Sequence, residues 1–169
     1  IQKSPSNEGL FLYFIMIFFT DIGHGGLIWL LIAIVLMMQK KYRKYGAMII
    51  LSLILTFLTG DIFLKNIIGR QRPFIVYNID IIIPNPNIFS FSSWHTSSSF
   101  AAAFILCKIN KKIGVVAFTV ASLIAFSRIY LIVHYPSDIL GGIILGLLCV
   151  LIIYHFFNKR LFEYNSKHI

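Results

Sequence analysis

The chain has 169 residues, of which 58% are hydrophobic and only 12% charged, with a mean hydropathy of +0.84 and a formal net charge of +9. Soluble domains carry about 25% charged residues, so this composition excludes a soluble globule and defines an integral membrane protein of about one domain. The Lys and Arg residues are spread over loops between apolar runs, with no soluble domain to present them, which excludes nucleic acid as a partner.

From the N-terminus, the Phe-rich run from Gly9 to Thr20 is shorter than the roughly 20 residues of a span and suits an interfacial helix. The chain begins at Ile1 rather than Met, which leaves room for a segment ahead of it. Five apolar runs follow: Leu27 to Met38, Ala47 to Leu64, Ser97 to Cys107, Ile113 to Phe126 and Ile139 to Phe157. The expected fold is all-α, a polytopic membrane helical bundle of about five spanning helices plus the N-terminal interfacial helix.

Orientation follows from the cations, because cytoplasmic loops carry the excess of Lys and Arg. Lys40, Lys41, Arg43 and Lys44 fill one loop, Lys108, Lys111 and Lys112 another, and Lys159, Arg160 and Lys167 the tail. Five spans put these three segments on one side. Of the other basic residues, Lys3, Lys65, Arg70, Arg72 and Arg128, all but Lys3 sit in polar clusters. The clusters are therefore expected to face the extracytoplasmic side. Cys107 and Cys149 fall in apolar runs and read as core residues. Gly142 and Gly146 form a small-xxx-small pair that permits close helix contact.

The connection from Arg72 to Trp94 is greasy, with Tyr77, Ile79, Ile81 to Ile83 and Ile88, while Pro84-Asn85-Pro86-Asn87 forces turns. Either it bends back into the membrane interface beside a lipid substrate or it packs on its own bundle.

Three polar clusters carry the chemistry. Lys65, Arg72 and Arg128 offer a compact charge and two planar forks that match phosphate oxygens. If the second span stays helical to its end, Lys65 and Arg72, seven residues apart, share a face. His95 and His134 are the imidazoles able to act as acid, base or nucleophile near neutral pH. Asp138, four residues after His134, can take the Nδ1 proton across a helical turn and leave Nε2 free to attack phosphorus. Ser93 and Ser97 to Ser99 open the third span, where hydroxyls and free N–H groups favour an anion. Asp61, one turn before Lys65, is its expected ion-pair partner. His24, His155 and His168 stand without evident partners. Two His and an Asp could in principle hold zinc, but three surrounding cations oppose a divalent ion, so neither metal nor cofactor is expected.

The patterns Lys65-x6-Arg72-Pro73, Ser93-Trp94-His95 and Ser127-Arg128-x5-His134-x3-Asp138 resemble the three motifs of the type 2 phosphatidic acid phosphatase (PAP2) family, in its membrane lipid-phosphatase branch. The resemblance covers residues 65 to 138, and it departs from the family at Ser92 and Trp94, which stand where the family has Pro and Gly. It implies a helical PAP2/haloperoxidase-like fold. It also implies His134 as nucleophile forming a phosphohistidine, Asp138 holding it, and His95 protonating the leaving oxygen. Lys65, Arg72, Ser93 and Arg128, with N–H groups near Trp94, would bind the phosphoryl group. The implied partner is a membrane lipid phosphate of a bacterial envelope: lipid A 1-phosphate, undecaprenyl pyrophosphate or phosphatidylglycerol phosphate. Trp94 stacking on a sugar ring would favour lipid A. The implied location is the inner membrane, with the site facing the periplasm. Two rivals use the same residues differently. A lipid-phosphate transporter or binder would not need His134, and a phosphotransferase would pass the phosphoryl group to a second lipid.

Overall fold

The computed structural model describes residues 7–81 and 88–166. The Pro84–Asn87 run and Lys3, Ile82, Ile83, Lys167 and His168 lie outside them. Among the described residues the elements are helical, with one isolated antiparallel bridge between Gln71 and Phe89. In chain order they are α1 (Asn7–Ile22), a 3-10 turn (His24–Gly26), α2 (Leu27–Met38), α3 (Arg43–Thr56), a wider π-type segment (Phe57–Leu64) and α4 (Lys65–Ile68). Then come α5 (Pro73–Val76), α6 (Trp94–Ile109), α7 (Lys111–Tyr130) and α8 (Pro136–Ser166).

Among the described residues three helical stretches are long and apolar enough to cross a membrane: Arg43–Ile68, Lys111–Tyr130 and Pro136–Asn158. A fourth is reached if Leu10–Ile22 and His24–Met38, bent by 44°, count as one span. The bend follows from Gly25 and Gly26, whose φ angles of +59° and +63° fall in the left-handed region that residues with a Cβ avoid. The expected five spans are thus corrected in two places. The N-terminal run is not a separate short element but a helix of 16 residues that leads through this bend into α2. The expected third span is α6, whose 16 residues extend only about 24 Å against a hydrocarbon core of about 30 Å.

α6 is short because its role is central: it packs against α3, α7 and α8, and small residues let those helices approach. Ser97, Ser98, Ser99 and Ala101 to Ala103 are fully buried. The Gly142–Gly146 pair on α8 answers them as expected, since a Cβ on Gly142 would come within 2.8 Å of the Ser93 carbonyl oxygen. Trp29 on α2 donates its indole N–H to Ser99 at 2.8 Å, satisfying the polar edge of a buried ring.

The basic segments gather at one end. Lys44 donates to Asn158 on α8 at 2.8 Å, and Lys108 lies over the rings of Phe104 and Tyr154. The ends of α4, α7 and α1 and the starts of α6 and α8 lie at the opposite end. There the described part of the connection after Arg72 folds onto its own bundle. Phe74 is buried with Met16, Leu131 and Val133, and Ile79 and Ile81 pack on the same cluster.

Candidate active site

The expected shared helical face for Lys65 and Arg72 does not form. The helix stops at Ile68, where Gly69 takes φ +58° and its N–H closes on the Lys65 carbonyl, and the chain then extends through Arg72 into Pro73 at the first position of α5. A loop, not a helical stripe, brings the two cations together. Lys65 is buried and ion-paired with Asp61, the partner expected for it. Arg72 is 3% exposed and donates to the Val133 carbonyl at 2.9 Å. Burial draws its pKa down to about 10, with the Asp138 charge opposing, so it stays cationic.

Arg128, in the last turn of α7, is also buried and lies within electrostatic reach of both Lys65 and Arg72. After Tyr130 the chain turns. The N–H groups of Val133 and His134 both bond to the Arg128 carbonyl at 3.2 Å, which hangs His134 back over the end of α7. His134 therefore precedes α8 instead of lying one helical turn from Asp138, which sits in the first turn of α8. The two side chains expected to pair still face one another. Nδ1 of His134 faces Asp138 Oδ2 at 3.5 Å, and the other ring nitrogen, Nε2, is 3.2 Å from Nη1 of Arg72. A guanidinium only donates, so Nε2 carries the lone pair and Nδ1 the hydrogen. That is the tautomer a nucleophile needs. Burial, and then the Arg72 and Arg128 charges, push the His134 pKa below the ordinary imidazole range against the pull of Asp138.

Asp138 is fully buried and shared. Its Oδ2 accepts from the Tyr135 N–H at 2.9 Å, and its Oδ1 from Arg70 Nη1 at 3.0 Å. Arg70 donates to Ser137 as well at 2.6 Å and stacks 3.8 Å from the centre of the Tyr135 ring. Its side chain is 37% exposed, so this clamp reaches from the site to the surface.

Ser93 caps α6 with its backbone, its N–H bonding to the Asp138 carbonyl at 3.3 Å and its hydroxyl accepting from Thr96 at 3.0 Å. His95 is half-buried, within electrostatic reach of Arg128, His134 and Lys65, and its Nε2 has no hydrogen-bond partner among the described residues. The hydroxyls of Ser97 and Ser98, expected to face an anion, instead bond back to the Trp94 carbonyl at 3.2 and 2.7 Å, and Ser99 serves Trp29. Serines in a helix interior satisfy themselves on the preceding turn. Trp94 stacks edge-on against Phe57 at 5.2 Å. With Phe57, Leu53, Ile54, Ile50 and Leu30 it lines a groove of about 280 Å³ that is almost wholly apolar.

Three contributors escaped the sequence reading. Arg70 looks like any interfacial cation until its partners 67 and 68 residues away are seen. His24 is not isolated, since its ring meets that of His95 at 5.9 Å. Thr20, inside an apolar run, is buried against Ser127 and Arg128. Among the described residues no group of three or more His, Cys, Asp or Glu side chains is placed to hold a metal ion.

A helical membrane bundle that buries three cations round an imidazole, with a carboxylate behind it, has the form of an anion site. The chain belongs to the PAP2 superfamily, whose family model matches residues 41–162. It is 28% identical over 134 residues to the undecaprenyl-diphosphatase of Sulfolobus acidocaldarius, covering 78% of this chain and 64% of that one. To the undecaprenyl-diphosphatase BcrC of Bacillus subtilis it is 28% identical over 146 residues, covering 84% and 73%. The fold is that of the crystal structure of Aquifex aeolicus LpxE, with a TM-score of 0.74, 28% identity and 86% of each chain covered. The chain spans about two thirds of the length of the curated relatives it matches first.

Proposed function

We propose that this protein is an integral membrane lipid phosphatase that removes a phosphate from an envelope lipid through a phosphohistidine on His134. The observation that carries the reading is the state of that imidazole, with Asp138 behind Nδ1 and a buried guanidinium on the lone pair of Nε2. In the reaction the incoming phosphoryl oxygens take over the donors of Arg72, Arg128 and Lys65, which releases Nε2. Nε2 then attacks phosphorus in line with the leaving oxygen. As the N–P bond forms and the P–O bond breaks, charge on the equatorial oxygens is met by the three cations and by N–H groups at Ser93 and Trp94. His95 gives the leaving oxygen its proton and afterwards takes one from the water that hydrolyses the phosphohistidine.

The apolar groove beside Trp94 suits a substrate with a long hydrocarbon chain. Trp94 is turned toward Phe57 in that groove, which favours a chain over a stacked sugar. Together with the names of the first relatives, this puts a polyprenyl pyrophosphate ahead of lipid A or a glycerophospholipid phosphate as substrate. The basic segments at the far end of the bundle support a site on the extracytoplasmic face of a bacterial inner membrane. The test is phosphate release by protein in detergent with EDTA across those three lipid classes, with His134→Ala as control. Release that survives EDTA and disappears in the variant is the expected result. Release that persists in His134→Ala would refute the mechanism, and no release from any lipid would point to a transporter or binder.

A further inference from the structure

The residues around Arg128 point beyond the family-matched region. Thr20, near the end of α1, is 2% exposed, and its hydroxyl lies 2.8 Å from that of Ser127 and 3.2 Å from Nη1 of Arg128. Ser127 donates its only hydroxyl hydrogen to the Ile124 carbonyl at 2.7 Å, so toward Thr20 it can only accept. Thr20 must then give its hydrogen to Ser127, and its oxygen is left to accept from the guanidinium. The result is a one-way chain from Arg128 through Thr20 and Ser127 to the backbone of α7, in which each bond polarises the next.

This chain holds one edge of a long side chain that otherwise has freedom to rotate. Arg128 Nε, buried, has no hydrogen-bond partner among the described residues, so the fork keeps donor capacity for an anion while Nη1 is pinned. Asp21, the next residue, places a negative charge within electrostatic reach of the same guanidinium. The segment continues against the other histidine. A Cβ on Gly23 would sit 3.3 Å from the His95 ring, which His24 also meets.

We propose that Thr20 is a positioning residue for Arg128, and that residues 20–24, ahead of the family-matched residues 41–162, form a wall of the phosphoryl site. The proposal rests on the phosphatase reading for its meaning, but its test does not require turnover. The probe is orthovanadate, a mimic of the phosphoryl group, with binding measured by the thermal shift of purified protein in detergent. Thr20→Val keeps the shape of the side chain and removes the hydroxyl, leaving Arg128 Nη1 without its acceptor. Loss of one charge-assisted bond should weaken orthovanadate binding by about tenfold, while Thr20→Ser restores it to near the wild-type value. A merely structural role would lower the melting temperature without vanadate and leave the affinity of the folded fraction unchanged. If Thr20→Val does not fold, Ser127→Ala is the second probe. It removes the acceptor that orients Thr20 and should weaken binding by a smaller factor, about threefold. Wild-type affinity in Thr20→Val, or in Ser127→Ala where that is the one that folds, overturns the proposal. Turnover by the wild type with that same result would leave the phosphatase reading standing. Orthovanadate binding that follows Thr20, without release from any lipid, would do the reverse, and no binding by the wild type would overturn both.

Discussion

Replacing Asp138 by Asn separates the charge of this residue from its shape. The carboxylate accepts from the Tyr135 N–H at 2.9 Å and from Arg70 at 3.0 Å, and it faces Nδ1 of His134 at 3.5 Å, so three groups look to it. An amide has one oxygen and one donor group, so it cannot serve all three. With its oxygen toward Tyr135 and His134, the amide nitrogen faces Arg70, and a half-exposed ion pair worth up to about 1 kcal/mol is lost. With its oxygen toward Arg70, the bond to Tyr135, of the kind that caps a helix and is worth about 1 kcal/mol, is lost instead. In that second orientation the amide N–H also points at Nδ1, which moves the imidazole hydrogen to Nε2. There it collides with the Arg72 donor and removes the attacking lone pair. The expected outcome is a fold weakened by only about 1–2 kcal/mol and a rate of phosphate release lower by about 10² to 10⁴. Steady-state release and trapping of labelled phosphate on protein quenched in base, where the N–P bond survives, measure the two steps together. A folded Asp138→Asn protein that turns over within about threefold of wild type would refute the tautomer argument, since that shift alone exceeds such a factor.

His95→Ala should distinguish the substrate classes. On kcat/KM a monoester, whose leaving group is an alkoxide, should lose about 10² to 10⁴-fold, whereas a pyrophosphate, whose leaving group is already a stable anion, should lose far less; equal losses on both would count against His95 as the acid. The pKa of His134 predicts a pH effect on stability. Burial lowers it in the folded protein below the ordinary value, so the unfolded chain binds more protons once the pH falls below about 6.5. Stability should therefore decline from that pH downward in the wild type and decline less in His134→Gln, as read by melting temperatures across pH; parallel curves would contradict the burial argument.

The cationic and histidine motifs were legible because their residue types have few other uses in so apolar a chain. Lys65, Arg72, Arg128, His134 and Asp138 all fall in one neighbourhood. What periodicity misjudged was the backbone between them. Gly69 stops the helix that would have aligned Lys65 with Arg72, and His134 hangs in a turn ahead of α8. The same motifs could not reveal Arg70 or Thr20. A threonine in an apolar helix and an arginine near a membrane surface are ordinary, and only contacts across 68 and 108 residues give them meaning. α6 is shorter than the span expected of it, and its serines and alanines, which read as apolar filler, mark the helix on which three others close.

The 3.2 Å contact between Arg72 and His134 makes the resting site self-quenching. The group that would recognise an anion and the atom that would attack it occupy one another, so each is unavailable to chance encounters with stray electrophiles or protons. In the proposed mechanism an arriving phosphate would end that mutual occupation by claiming the arginine, and the nucleophile would be exposed at the moment its target is in place. Reagents that modify imidazoles without offering negative oxygens would find this histidine slow to react, and small oxyanions would quicken it before they blocked it.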